Sequence, residues 1–127
     1  MAVNLLTLNA ASNTIYAWRK RYDMTTTSTS VMTFANSTTQ IIESIIVAWD
    51  NGTLNNFPSA SDHFSVRLNS PSGNRYLAFQ QPLFKFDSVQ LVYKGAPIYV
   101  GNGEITSISA LASSSNYRMF INGLKIT

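Results

Sequence analysis

What most constrains this chain is alternation with period two, in short stretches that each end at turn residues. Phe64, Val66 and Leu68 point to one side of an extended chain, and Ser65, Arg67 and Asn69 to the other, because successive strand side chains face opposite ways. The stretch stops at Ser70-Pro71-Ser72-Gly73-Asn74, where proline presets φ and glycine or asparagine accepts positive φ. Arg75 to Phe79 then resumes, which predicts a hairpin over 64–79. Val89, Leu91 and Tyr93 alternate in a further strand. Ile98 to Val100 and Ile105 to Ile108 flank Gly101-Asn102-Gly103, a second hairpin signal, and Tyr117, Met119 and Ile121 lead into Asn122-Gly123, a tight-turn signal. The Ser/Thr run Thr25 to Ser30 reads as an exposed loop or extended edge.

The segment Gln40 to Trp49 admits two readings. Ile41, Ile45 and Trp49 fall on one helical stripe, but half of the ten residues are β-branched, which favours a strand. As a strand it carries Ile41, Ile45, Val47 and Trp49 on one side and Ile42, Ile46 and Ala48 on the other. A strand apolar on both sides lies under a cover or at a subunit interface. Strand is the reading adopted. In all, about eight to ten short strands are expected, an all-β antiparallel sandwich of Ig-like or jelly-roll-like type.

A chain of 127 residues fits one domain with its own core. Only 12% of residues are charged, against about 25% in an average soluble domain. Solubility falls instead to 16 Ser, 12 Thr and 12 Asn. Few long charged side chains and many aromatics suit a surface that packs against other proteins. A net charge of +3 is small for a dedicated nucleic-acid binder. With no cysteine, disulfides and thiolate metal sites are excluded. No apolar run approaches the roughly 20 residues a membrane helix needs, so no membrane partner is expected. Met1 to Thr14 has neither a basic start nor a long apolar centre, so no secretion signal is expected there. The sequons at Asn36 and Asn51 are accordingly read as chance.

Catalytic constellations each lack a member. His63 is the single histidine, no Gly-x-Ser-x-Gly elbow is present, and Asp62-His63 reads as a surface or capping pair at a strand start. One histidine and six scattered carboxylates give no zinc spacing and no EF-hand loop. Glu43 and Glu104 are a weak glycosidase pair, since Glu43 sits inside an apolar strand and needs a partner such as Arg67 or Arg118. Gly101 to Glu104 lacks the lysine and helix of a phosphate loop. Neither an enzyme nor a cofactor or metal site is expected.

The densest constellation is Tyr16-Ala17-Trp18-Arg19-Lys20-Arg21-Tyr22. As a strand it places Tyr16, Trp18, Lys20 and Tyr22 on one face and Arg19 and Arg21 on the other, with Ile15 and Ala17. Three readings stand: a stacking platform for single-stranded bases, an interface hot spot rich in Trp, Tyr and Arg, or an edge strand whose charges block stray pairing. With no second basic cluster, nucleic acid is disfavoured. The expected protein-interface residues are Tyr16, Trp18, Arg19, Lys20, Arg21, Tyr22 and Trp49.

The stretch Thr33 to Asn51, in which a Thr-rich turn leads into an Ile/Val strand ending near asparagine, resembles a block in small phage virion structural proteins of β-sandwich type. The following blocks keep that order: Phe64 to Leu68, Tyr76-Leu77-Ala78-Phe79-Gln80-Gln81-Pro82-Leu83, Leu91 to Val100 and Phe120 to Ile126. Ala96-Pro97 departs from the Gly-Asp usual in that pattern and alters a turn. The resemblance covers residues 31–127 and leaves 1–30 outside, as an N-terminal arm or strand and the expected contact segment. It implies a β-sandwich at 31–127 that decorates a phage head or tail, and the role expected first is a capsid decoration (cement) protein on the head surface. Its partners would be the major capsid protein or other virion proteins, with sister copies in a homo-oligomer such as a trimer. A tail, fibre or baseplate component and a carbohydrate-binding sandwich, with Trp18, Trp49 or tyrosines on sugar rings, are the alternatives.

Overall fold

A computed structural model describes residues 14–35, 39–49, 62–83, 87–100, 105–114 and 116–126. Among them run β1 (Ile15–Asp23), β2 (Thr29–Thr33), β3 (Thr39–Trp49), β4 (Phe64–Asn69), β5 (Arg75–Gln81), β6 (Ser88–Val92), β7 (Ile98–Val100), β8 (Ser107–Ala112) and β9 (Tyr117–Ile126). The all-β expectation holds, and every ladder is antiparallel.

The pairings nest. β1 pairs with β9, β2 with β8, β3 with β6 and β7, and β4 with β5. Since β9 occupies one side of β3 along its whole length, β6 and β7 share the other side. They act as one strand position, interrupted by a turn in which Ala96 N–H donates to the Tyr93 carbonyl at 2.9 Å. A long hairpin of eight strand positions is thus rolled up, giving a front sheet β1-β9-β3-β6/β7 and a back sheet β2-β8-β4-β5. That order is a jelly roll.

Between the sheets lies one core, with Phe64, Val66, Ile108 and Ala110 from the back and Ile42, Ile45, Val47, Trp49, Tyr117, Met119 and Ile121 from the front. Trp49 meets Tyr117 edge to face at 5.1 Å, and Phe64 meets Tyr117 at 5.5 Å. Each such side chain contributes roughly 1.5–3 kcal/mol on burial.

β3 confirms the strand reading and corrects its facing. Its register with β9 shifts between Ile42 and Ser44, leaving Glu43 in a bulge. Before the bulge Gln40 and Ile42 face the core; after it Ile45, Val47 and Trp49 do. Ile41 is therefore an outward residue, not a companion of Ile45. An extra residue in one strand reverses the facing of everything beyond it.

Turn chemistry was a mixed guide. The 64–79 hairpin is β4–β5, closed by Gly73 at φ 137° with its N–H donating to the Ser70 carbonyl at 3.1 Å. Gly101-Asn102-Gly103 lies outside the described residues, but its flanking strands do not pair as a hairpin: β7 lies in the front sheet and β8 in the back. Nor do Asn122 and Gly123 turn, because β9 runs straight through them. Gly123 is there for a different reason. A Cβ on it would collide with the Ile41 carbonyl and lie 2.7 Å from Trp18 Cζ2. Within the segment expected as an N-terminal arm or strand, residues 15–23 form β1, an edge strand of the front sheet, and β2 begins at Thr29 as an edge strand of the back sheet. The sequons at Asn36 and Asn51, together with Glu104 and residues 1–13, lie outside the described residues.

Candidate interaction faces

β1 does not present its aromatic-basic cluster as one patch. It pairs with β9 from Ile15 opposite Ile126 to Asp23 opposite Arg118. Trp18 and Tyr22 stand beside Gly123 and Met119, half-buried against the core. The indole Nε1 of Trp18 is buried without a hydrogen-bond partner. Lys20 shares their side and reaches across to the other sheet, where its Nζ donates to the Val31 carbonyl at 2.6 Å. Val31 is the bulge residue between Ser30 and Met32 of β2, and a bulge interrupts the backbone ladder. The lysine therefore ties the two edge strands together. Tyr16 is 53% exposed at the strand's start.

Arg19 and Arg21 face outward. The Nε of Arg21 lies 3.3 Å from Asp23 Oδ1, and that of Arg118 lies 3.4 Å from the same oxygen. Trp49 must be removed from the expected interface: it is 2% exposed and inside the core. The bulge at Glu43 turned it there.

The outward side of the front sheet is rowed. Ala17, Leu124, Ile41 and Tyr99 stand side by side across four strands. Arg21, Phe120, Ile46 and Gln90 form another row, with Arg19, Asn122 and Ser44 between them. Phe120 is 42% exposed, Tyr99 53% and Ile15 39%. A shallow depression of about 440 Å³ is lined by Arg19, Lys20, Arg21, Ser44, Ile46, Phe120, Ile121 and Asn122. Sequence reasoning missed Phe120 and Tyr99. The available signal was the apolar content on both sides of the 40–49 segment, which pointed to a covered strand without naming its outward neighbours.

The back sheet's outward side is polar and internally bonded. Arg67 Nε donates to Asn69 Oδ1 at 2.7 Å, and Asn69 Nδ2 donates to Ser107 Oγ at 2.8 Å and Ser109 Oγ at 2.7 Å. Arg67 is thus bonded to Asn69, and Arg118 lies against Asp23. Tyr76, opposite Arg67, meets Phe79 edge to face at 4.8 Å. Gln80 follows with φ 46°, a left-handed conformation uncommon outside glycine, and its N–H donates to Ser65 Oγ at 2.9 Å.

His63 and Ser113 are neighbours through the backbone. The His63 N–H donates to Ser113 Oγ at 2.9 Å, Ser113 N–H donates to the His63 carbonyl at 2.9 Å, and Ser113 Oγ donates to Asp62 Oδ1 at 3.3 Å. These bonds fasten the start of β4 to the end of β8. Among the described residues, no group of three His, Cys, Asp or Glu side chains could hold a metal ion, and no helix is long and apolar enough to cross a membrane.

No family model matches the chain, and none of the curated proteins matches it. Among solved structures it is similar to a chain from the structure of infectious bursal disease virus, Gx strain, at 12% identity and a TM-score of 0.41. The match covers 90% of this chain, which spans 31% of that one.

Proposed function

We propose that this chain is a phage virion structural protein, a capsid decoration protein that docks on the head surface through the outward side of its front sheet. The observation that carries this reading is the pair of cross-strand apolar rows bordered by Arg19 and Arg21. Interface cores are rich in aromatics and arginine and poor in lysine and acids, and this face has that make-up. Its apolar rows lose water on docking, while the arginines at the rim steer the approach and favour an acidic partner surface. Contacts repeated over a symmetric shell, or among sister copies, add avidity without any single strong site. The sandwich serves as a rigid carrier for that face and performs no reaction.

The test is add-back to phage heads stripped of this protein. The intact chain is expected to bind saturably and to raise the temperature at which the heads release DNA. Phe120→Asp combined with Ile46→Asp, on a chain shown to be folded, is expected to abolish both effects. Heads that neither bind the intact chain nor gain heat resistance overturn the proposal.

A further inference from the structure

The back sheet holds a second site that docking through the front sheet leaves free. A recess of about 90 Å³ is lined by Ser65, Arg67, Tyr76, Phe79, Gln80 and Ser109, among others. We infer that it binds a carboxylate-bearing sugar, of the hexuronate or sialate class.

The first reason is Arg67. Its Nε is spent on Asn69 Oδ1, and Asn69 is itself fixed by two serine hydroxyls. That chain of bonds sets the plane of the guanidinium. No other hydrogen bond or ion pair among the described residues engages it, so its terminal N–H donors remain for a ligand. A guanidinium held in plane is suited to a two-pronged bond with a carboxylate. The second reason is the aromatic pair. Tyr76 and Phe79 are 50% and 60% exposed, side by side at the recess. Exposed rings beside hydrogen-bonding groups match the alternation of apolar C–H faces and hydroxyls on a pyranose. The third is the supply of neutral polar groups. Ser65 and Ser109 each accept a hydrogen bond, from Gln80 N–H and Asn69 Nδ2, and each keeps its own proton to donate. Both are buried at the floor. Finally, Gln80 is held in its left-handed conformation by Ser65; such backbone strain clusters at ligand sites.

Tri-galacturonate and sialyllactose are the probes, added to the full ¹⁵N-labelled chain and followed by amide shifts. Binding is expected for at least one, with shifts at Arg67, Tyr76, Phe79 and Gln80. The methyl ester of the bound sugar is expected to bind at least about tenfold more weakly, as is the acid to Arg67→Gln. Phe79→Ala is expected to weaken binding comparably, whereas Phe120→Ala on the front sheet leaves it unchanged. Variant spectra report folding independently of binding. The inference is overturned if neither acid gives saturable shifts up to about 10 mM, if ester and acid bind alike, or if tri-glutamate binds the same amides as tightly. Failure here leaves head docking untouched, because that reading depends on the opposite face.

Discussion

Tyr117 is a residue whose position decides its chemistry. Burial, with a smaller repulsion from Asp62, pushes its phenol up to about 12, and its hydroxyl has no hydrogen-bond partner. The unfolded chain titrates near 10. The contribution of this one group to stability is therefore expected to be full below pH 10 and to be lost as pH rises from 10 to 12, by about 3 kcal/mol, because the unfolded state gives up the proton first. Tyr117→Phe is expected to remove that alkaline loss and to be neutral or about 1 kcal/mol stabilising at pH 7, since it deletes a buried unpaired polar atom. Urea melts at pH 7 and pH 11 check both signs. Gly123 is a second such residue. Gly123→Ala sets a methyl group against the Ile41 carbonyl and the Trp18 ring, and is expected to cost about 3 kcal/mol, read as a lower urea midpoint. In the sequence, the Asn-Gly pair read as a turn. The local signal was real, but two strands and an indole close in on that glycine only after folding.

Among the elements, β3 depends on its bulge. Deleting Glu43 puts either Gln40 and Ile42 or Ile45, Val47 and Trp49 on the wrong side. The expected outcome is a chain without cooperative unfolding, while Glu43→Gln stays within about 0.5 kcal/mol of the parent. Calorimetry of the two variants separates a role for the extra residue from a role for its charge. β1 and β2 depend on Lys20. Lys20→Met loses the bond to the Val31 carbonyl and is expected to lower stability by about 1 kcal/mol, with faster amide exchange along β1 and β2. Strand content was largely legible from alternation and β-branching. Facing was legible only where no bulge intervened, as in β4, whose Phe64, Val66 and Leu68 face the core as read.

For the molecule as a whole, the two outward faces differ in kind. One is rowed with apolar side chains bordered by the arginines of β1; the other is a bonded ladder of Arg67, Asn69, Ser107 and Ser109 with an aromatic pair beside it. A chain with two such faces can rest on one and offer the other. The proposal at this scale has a simple measurement: in particles carrying the protein, amides of the β9 and β3 outward rows should be protected from exchange beyond their level in the free chain. Those around Tyr76 and Phe79 should not change.

Alternation, β-branching and scarce charge determined by themselves that this chain forms short antiparallel strands around one core, because these properties act over a few residues. The aromatic-basic stretch was equally plain as composition. Which of its side chains look inward, whether Trp49 is a contact or a core residue, and which strands share a sheet were decided only by the tertiary structure. The physical reason is that strand facing is set by register with partners far along the chain. One unmatched residue, Glu43, reverses it, and no local pattern announces that reversal. The Arg67 recess was hidden for the same reason: Arg67, Tyr76, Phe79 and Ser109 come from β4, β5 and β8, which meet only once the hairpin has rolled up.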